Sequence, residues 1–200
     1  MQSAMQVERL NQQISFILEI DRLKHIIRRT LLLDGSRREN SAEHSWHLAM
    51  MAIALAEYAP QPIDIARVIR LVLVHDVVEI DAGDTFCYDV AANEDKAERE
   101  QLAAERIFGL LPDNITHEFR ALWDEFEAAE TPEAQFARAL DCLQPLLHNY
   151  HTEGGTWRLY GVTRDRVLQR MKAVEVGAPS LWGYVLEIVD QAIAKGYLLG

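Results

Sequence analysis

Apolar residues recur every three or four positions along most of this 200-residue chain. That spacing places them on one face of an α-helix, and polar and apolar residues nowhere alternate between hairpin turns as they do in paired strands. We therefore predict an all-α fold, with helix boundaries accurate to about two to four residues. The predicted helices span residues 6–20, 22–33, 42–58, 64–80, 93–109, 113–129, 132–151, 163–175 and 180–196.

Polar residues and glycines mark several of the predicted helix ends. Ser41 and Asn93 are expected to be the N-caps of the third and fifth helices, because their side-chain oxygens can accept a hydrogen bond from a free backbone N–H group. Gly154 and Gly155 are expected to close the seventh helix, since glycine readily adopts the left-handed conformation that often ends a helix.

The segment ARVIRLVLVHDVVEI, residues 66–80, allows a second interpretation. Its content of Val and Ile is also typical of a buried parallel strand. A lone strand has no partner for its backbone hydrogen bonds, and no second segment of this kind occurs in the chain. We therefore favour a buried central helix.

Size and charge limit the classes of protein that fit. A chain of this length can bury one core, so we predict a single domain over 1–200, with its motifs in 20–150 and the helices of 160–200 packed on it. Lys and Arg number 20 against 31 Asp and Glu, a net charge of −11. This balance argues against long nucleic acids and anionic membrane surfaces as partners, but not against one small phosphate ester.

The cysteines and the N-terminus indicate the compartment. Cys87 and Cys142 do not form a CxxC pair, and we interpret both as reduced thiols. The N-terminus has no basic start followed by an apolar run, and no apolar segment approaches the length of a membrane span. We expect a cytoplasmic protein.

Ionisable residues occur inside apolar segments at three places. His44 shares a helix face with Leu48, the pair His75 and Asp76 interrupts the run LVLVHDVV, and Asp141 lies within FARALDCLQPLLHNY. A buried carboxylate is costly unless it has a partner or a metal ion. Two imidazoles and two carboxylates make a mixed N/O ligand set, which suits Mn, Co, Fe, Ni or Zn and leaves positions open for water and substrate.

The order His44, then His75 and Asp76, then Asp141 resembles the H…HD…D signature of the HD-domain metal-dependent phosphohydrolases. More narrowly, ENSAEHS followed by HDVVEIDAGD is similar to the bacterial 5'-deoxynucleotidases and their close relatives within that superfamily. The resemblance extends over about residues 20–150. It implies an HD-type helical bundle in which these four residues bind a single divalent metal ion.

The resemblance also implies catalytic residues. Glu79 follows His75 by one helical turn and looks like a general base or acid. Asp84 follows Gly83, whose backbone freedom can return this carboxylate toward the metal, and by resemblance it contacts the sugar or the catalytic water. Thr85, beside it, is a further candidate for substrate binding.

Phosphate recognition requires a cation. In the family an arginine of the LK…R helix orients the phosphate, which points to Arg28 or Arg29. The arginines at 37 and 38 are expected to lie in a solvated basic turn, and Asp81 at a solvated helix end. Trp46, close to a metal histidine, is a candidate wall of a base pocket.

We therefore predict a metal-dependent phosphohydrolase of small phosphate monoesters, foremost a (deoxy)nucleoside 5'-monophosphate. Alternative reactions for an enzyme are hydrolysis of a cyclic nucleotide or of a nucleoside triphosphate. A two-metal centre needs additional histidines between the HD pair and Asp141, and the sequence has only His117 there. From another class, the chain could be a non-catalytic metal-binding scaffold that senses a nucleotide, although Glu79 and Asp84 argue against this. Relatives commonly form dimers, so we expect a homodimer.

Two further histidines have alternative roles. His47 and His148 could donate hydrogen bonds to metal ligands, but each is expected to be a packed helix residue.

Overall fold

A computed structural model describes residues 2–89 and 91–200. The all-α prediction is confirmed, since the described part is built mainly of helices and its only sheet has two short strands, β1 (Ile27–Leu31) and β2 (Arg38–Asn40). The helices are α1 (Gln2–Ile20), α2 (Ser41–Ala54), α3 (Ile65–Val74), α4 (Glu79–Ala82), α5 (Lys96–Phe108), α6 (Asp113–Ala128), α7 (Pro132–His151), α8 (Gly155–Tyr160), α9 (Arg164–Gly177) and α10 (Trp182–Ala194).

The prediction of a helix over residues 22–33 was wrong. A 3₁₀ turn at Asp21–His25 leads into β1, which pairs antiparallel with β2 and sets Leu31 opposite Arg38. β-Branched residues such as Thr30 favour the extended backbone. Gly35 adopts a φ of 69° in the connecting turn, a conformation that costs glycine little, so the chain can reverse and pair.

Asn40, rather than Ser41, is the N-cap of α2. Its Oδ1 accepts a hydrogen bond from the Glu43 N–H at 2.9 Å, and Glu43 Oε2 accepts one from the Asn40 N–H at 3.2 Å. This reciprocal pair satisfies two N–H groups at the helix start. Ser41 is buried and donates instead to Glu79 Oε2, at 2.6 Å.

Two other predicted helix ends shift. Asn93 does not cap α5, which begins at Lys96; its side chain donates to the carbonyl of Phe86 at 3.2 Å. Gly154 has the left-handed φ of 96° expected just after α7, whereas Gly155 begins α8, a short helix that the sequence did not predict.

The segment over 66–80 is helical, as favoured, but it breaks at the HD pair. α3 ends at Val74, and the next residues form tighter turns in which the N–H of Val77 donates to Val74 O and that of Glu79 to Asp76 O, at 3.1 and 3.0 Å. These are i,i+3 bonds, typical of 3₁₀ geometry. The tight turn keeps His75, Asp76 and Glu79 buried on one stretch of chain.

Helix α7 runs through the middle of the bundle and contacts α2, α3, α6 and α9. It approaches α9 closely at Gly177, where an added Cβ atom would lie 2.0 Å from the carbonyl oxygen of Gln135. The buried apolar residues form one cluster that includes Phe16 near the start and Leu198 near the end. Within 2–89 and 91–200, no helix combines the length and hydropathy that a membrane span requires.

Candidate metal centre and active site

Three helices bring His44, His75 and Asp141 together. His44 comes from the first turn of α2, His75 from the end of α3 and Asp141 from the middle of α7, and all three are buried. One ligand atom of each lies within 4.8 Å of the others. His44 Nε2 is 3.1 Å and His75 Nε2 is 3.9 Å from Asp141 Oδ1. The geometry thus joins residues that are distant in sequence into a cluster with metal-ligand chemistry.

The His75 ring is oriented for metal binding. Its Nδ1 lies 2.8 Å from the carbonyl oxygen of Val72, which can accept a hydrogen bond only if Nδ1 carries the proton. In the neutral ring that binds a metal, Nε2 then has the lone pair, and it has no hydrogen-bond partner among the described residues although Asp76 Oδ1 lies 2.9 Å away. A buried nitrogen of this kind, facing carboxylates, fits a divalent cation.

Asp76, the fourth predicted ligand, lies at the edge of the cluster. Oδ1 faces His75, and Oδ2 accepts a hydrogen bond from Arg28 at 2.8 Å. Burial opposes ionisation of Asp76, but His75 and Arg28 outweigh it and lower its pKa. Burial likewise opposes ionisation of Asp141, whose pKa is held well below its usual value by His44 and Arg170.

The two carboxylates also act on His44. Burial and the charge of Arg28 favour the neutral ring, yet the hydrogen bond to Asp141 and the nearby carboxylates of Glu39 and Asp76 outweigh both and raise the pKa of His44 to about 9. The cluster therefore attracts positive charge, which a divalent ion can supply. The ring nitrogens and anionic oxygens fit such an ion.

Arg28 and Arg29 occupy different environments because side chains alternate along β1. Arg28 is almost buried, with Nη1 3.6 Å from Asp84 Oδ1 and 3.9 Å from Glu79 Oε1. Burial disfavours its charge, but the surrounding carboxylates raise its pKa. Arg29 instead donates to the hydroxyl of Tyr160 at 2.9 Å. Of the two candidates, Arg28 is the one beside the cluster.

Glu79 and Asp84 are both drawn into the site. Glu79 is 6% exposed, and burial together with the nearby Asp76 raises its pKa well above the ordinary value. Asp84 follows Gly83, which has a φ of 76°, and burial also raises the pKa of this carboxyl. Thr85 accepts a 3.3 Å hydrogen bond from Arg99.

One cavity of about 220 Å³ connects these groups, and Arg28, His75, Asp76, Glu79, Asp84 and Asp141 line it. Its wall also includes residues that the sequence did not single out. Arg170 of α9 donates to Asp141 Oδ2 at 2.9 Å, and Lys96 and Arg138 add two more cationic side chains. The cavity wall thus carries several cationic side chains beside its carboxylates, and Lys96 and Arg138 pair there with Glu100 and Glu127.

Glu39, Ser41 and Gln144 were also missed as parts of the site. Glu39 and Ser41 belong to the quoted motif ENSAEHS, so a signal for them existed, whereas Gln144 and Arg170 carried none that distinguished them from other helix residues. Their positions depend on how α7 and α9 pack, which local sequence does not encode.

The structure also places three nearby residues for which the sequence suggested positions. Trp46 is 63% exposed and does not line the cavity, so it is not a wall of a base pocket there. Asp81 is not simply solvated, because it accepts a hydrogen bond from Arg106 at 2.8 Å. Arg37 pairs with Glu43 on the surface at 2.7 Å.

The histidines outside the cluster also have clear places. His148 Nδ1 lies 2.8 Å from Leu31 O, so this ring is buried and hydrogen-bonded. His47 packs near it, with ring centroids 5.5 Å apart. His117 is exposed on α6 and is not in the cluster, so the described residues place no extra histidine there for a second metal.

Comparison with known proteins identifies the family. The HD-domain model matches residues 20–182, a range that includes the whole His44, His75, Asp76 and Asp141 set. The chain belongs to the HD-domain family. A crystal structure described as a predicted metal-dependent phosphohydrolase from Magnetospirillum magnetotacticum is similar to this HD-domain protein, with a TM-score of 0.93 and 56% identity over 96% of this chain and 97% of that one.

Two curated relatives are also similar to this HD-domain protein. The 5'-deoxynucleotidase HDDC2 of Xenopus laevis is 37% identical over 109 residues, which cover 54% of this chain and 53% of the relative. The 5'-deoxynucleotidase HDDC2 of Danio rerio is 29% identical over 154 residues, covering 75% and 76%. The match thus spans about half the length of the Xenopus protein. Membership of the HD-domain family and the histidine–aspartate cluster together indicate a divalent metal ion.

Proposed function

We propose that this protein is a metal-dependent phosphohydrolase that cleaves (deoxy)nucleoside 5'-monophosphates to a nucleoside and phosphate. The observation that carries the proposal is the convergence of three candidate metal ligands, His75, Asp76 and Asp141, with Arg28, Glu79 and Asp84 in one cavity. The names of the curated relatives support the same reaction. Together the residues can stabilise the negative charge on the phosphoryl group and donate a proton to the leaving group, and phosphate ester hydrolysis needs both.

His44, His75, Asp76 and Asp141 are the proposed ligands of one divalent ion, with Mn, Co, Fe, Ni and Zn as candidates. When bound, the ion supplies a Lewis acid that polarises the phosphoryl group and activates water. His75 contributes Nε2, because its Nδ1 is committed to Val72 O. The buried ligand set excludes bulk water from the side of the core.

Arg28 is the proposed phosphate clamp. Its guanidinium is held on the cavity wall by Asp76, and a planar guanidinium can bond two phosphate oxygens at once. Because the guanidinium of Arg28 is already fixed in place, no flexible side chain has to become ordered during the reaction. Asp84, 3.6 Å from Arg28, is placed to contact the sugar or the attacking water.

Glu79 is the proposed general acid. Burial and neighbouring carboxylates raise its pKa, so its carboxyl group keeps a proton at a higher pH than an exposed glutamate. Ser41 donates to Oε2 and holds the group in one orientation. Glu79 can then protonate the leaving 5' oxygen of the nucleoside, and the carboxylate regains a proton from solvent water before the next turnover.

A second hollow of about 230 Å³ adjoins the site and suits the nucleoside part of the substrate. It shares Arg29, Phe86 and Tyr88 with the main cavity, and Tyr160 completes an aromatic wall. The rings of Phe86 and Tyr160 have centroids 4.8 Å apart. Aromatic side chains stack on any base, which favours a nucleotide over a simple sugar phosphate.

The test is a phosphate-release assay on the purified protein with added Mn²⁺, over ribo- and deoxynucleoside 5'-monophosphates, 3',5'-cyclic nucleotides and nucleoside triphosphates. We expect release of inorganic phosphate from the monophosphates and loss of that activity in Asp141→Ala. Preferential cleavage of cyclic nucleotides or triphosphates would replace the proposed substrate. Tight nucleotide binding without hydrolysis of any compound would favour the sensing scaffold.

We propose that two copies associate through an apolar stripe on α2. Trp46, Met50 and Ile53 follow one another at steps of four and three, so they share a helix face, and they are 63%, 47% and 56% exposed. Light scattering should give the mass of a dimer for the wild type and of a monomer for Met50→Glu. A monomeric wild type would contradict this proposal.

We further propose that the protein acts in the cytoplasm as one domain over 1–200. Cys87 and Cys142 are free thiols, and such thiols persist in reducing compartments. Arg170 of α9 reaches a ligand on α7, which supports a single working unit. A cooperative, single thermal unfolding transition is the expected result for one domain.

A further inference from the structure

Glu39 is a buried carboxylate to which neither the metal cluster nor the phosphate clamp assigns a role. It lies in β2 between two half-buried residues and is 2% exposed, so the pleat of the strand directs its side chain inward. Burying a carboxylate is costly unless hydrogen bonds and cations compensate for lost water. Its surroundings therefore indicate what it does.

The Glu39 Oε1 atom faces two functional groups at once. It lies 3.6 Å from His44 Nδ1 and 3.5 Å from Arg28 Nε. Among the residues that the structure describes, all three atoms are buried and lack a hydrogen-bond partner. Three orphaned polar atoms thus converge, and a shift of a few tenths of an ångström would turn the two contacts into hydrogen bonds.

The other oxygen of Glu39 is fixed from behind. Gln144 Nε2 donates to Glu39 Oε2 at 2.8 Å and lies 3.1 Å from His148 Nε2. His148 Nδ1 in turn lies 2.8 Å from Leu31 O, so Nδ1 donates there and Nε2 can accept from Gln144. Both hydrogens of the Gln144 amide are then used, and Glu39 is held by a chain of buried side chains.

We propose that Glu39 is a positioning residue that orients the His44 imidazole as an Nε2 metal ligand and steadies Arg28 for phosphate. His44 Nε2 faces Asp141 in the cluster, which leaves Nδ1 to carry the proton toward Glu39. A carboxylate behind a metal-bound histidine fixes the tautomer and ring orientation and makes the ring a better ligand. This inference rests on the metal and phosphate roles proposed above.

Glu39 links the two halves of the site. The same oxygen serves the metal side through His44 and the phosphate side through Arg28. The strand pair β1–β2 supplies both Arg28 and Glu39, and α7 supplies both Asp141 and Gln144. A metal ligand and the phosphate clamp are therefore set by one shared carboxylate.

The experiment is a calorimetric titration of Mn²⁺ into chelator-treated Glu39→Gln, which keeps the size of the side chain but removes its charge. We expect the Kd for Mn²⁺ to rise about 10- to 100-fold, the range found when partners of metal ligands are removed. KM for a nucleoside monophosphate should also rise, through Arg28. The control Glu125→Gln removes a largely buried carboxylate outside the cavity and should keep the wild-type Kd even if it lowers stability.

A second variant tests the same role if Glu39→Gln does not fold. Gln144→Leu leaves Glu39 in place but removes its donor, and the Kd for Mn²⁺ should rise by a smaller factor. Wild-type affinity in either folded variant would overturn the role of Glu39. If no phosphate ester is hydrolysed but Glu39→Gln still weakens Mn²⁺ binding, the proposed reaction fails while the role of Glu39 at the metal site stands.

Discussion

Arg28 Nη1 donates a 2.8 Å hydrogen bond to Asp76 Oδ2, so the cation of β1 and a candidate metal ligand of the HD pair are in direct contact. The other oxygen of Asp76 lies 2.9 Å from His75 Nε2. One buried carboxylate therefore joins the histidine side of the cluster to the proposed phosphate clamp. Arg29, the next residue of β1, has no such contact and bonds to Tyr160 instead, so mutations can separate the contributions of Arg28 and Arg29.

Replacing Arg28 should damage catalysis far more than replacing Arg29. In Arg28→Ala we expect kcat/KM for a nucleoside 5'-monophosphate to fall about 100- to 1000-fold, because a preorganised charge facing the phosphoryl group is lost. Arg29→Ala is the matched neighbour, and its guanidinium contacts Tyr160 rather than the cluster. Steady-state phosphate release compares the two; equal losses in both variants would contradict the assignment.

Glu79→Gln should separate proton transfer from metal binding. The amide keeps the shape of the side chain but cannot donate the proton, so kcat should fall about 100- to 10,000-fold. Bound metal, measured by elemental analysis, should be unchanged. Asp81→Asn, on the outside of the same turn, should retain activity, since Asp81 pairs with Arg106. Near wild-type kcat in Glu79→Gln would rule out the general-acid role.

Metal removal should lower both stability and activity. A ligand present at 100 times its Kd stabilises a folded protein by about 2.7 kcal/mol, so Mn²⁺ should raise the melting temperature of chelator-treated protein. Activity should return with the same addition. Asp141→Ala and His75→Ala should each abolish the Mn²⁺-induced shift in differential scanning fluorimetry. A full shift in His75→Ala would remove this residue from the ligand set.

Acid should weaken the pair between Arg67 and Glu125. Burial raises the pKa of Glu125, but hydrogen bonds from Arg67 and Thr131 outweigh it and lower the pKa below the unfolded value of 4.5. The pair therefore stabilises the fold above pH 4.5, and its contribution is lost as the pH falls through the lower folded pKa. With Arg67 partly exposed, the expected loss in Glu125→Gln is about 1 kcal/mol at pH 7.

The measurement for Glu125 is urea unfolding of wild type and Glu125→Gln from neutral to acidic pH. The difference in free energy of unfolding should shrink toward zero in acid, because protonated Glu125 no longer pairs with Arg67. A difference that does not change with pH would show that packing rather than charge is lost.

Gly177 should be intolerant of any side chain. A Cβ atom there would meet Gln135 O at 2.0 Å and Ala139 Cβ at 3.0 Å, so Gly177→Ala must push α9 away from α7. Overpacking of this kind costs about 1–3 kcal/mol. Gly183→Ala in α10 is the control, since nothing lies within 4 Å of its added Cβ atom. Thermal unfolding should show a lower midpoint for Gly177→Ala alone.

The sequence predicted best those elements whose pattern is repeated many times. α7 has the bounds 132–151 that its apolar spacing predicted, because a long helix averages out local exceptions. The segment 22–33 failed for the opposite reason. Its short apolar pattern fits a helix, but pairing with β2 and the turn at Gly35 stabilise a hairpin, and this pairing is not visible in the segment alone.

The candidate site shows the same division. His44, His75 and Asp141 were detectable because ionisable groups stand out in apolar helices, and the structure brings them together. Nothing in the sequence of α9 sets Arg170 apart from the other charged residues of that helix, and only the packing of α9 on α7 carries it to Asp141. Residues that act through tertiary packing leave no local pattern from which they could be predicted.

The hydrogen bond from Arg170 to Asp141 sets a limit on engineering. A graft of residues 20–150 into another scaffold would transfer all four candidate ligands. It would omit α9, whose Arg170 donates a hydrogen bond to Asp141. Asp141 would then keep its place in the chain but lose the guanidinium that favours its charged form. The HD motif residues alone are thus not enough to transfer the site to another protein, and the graft must include the C-terminal helices.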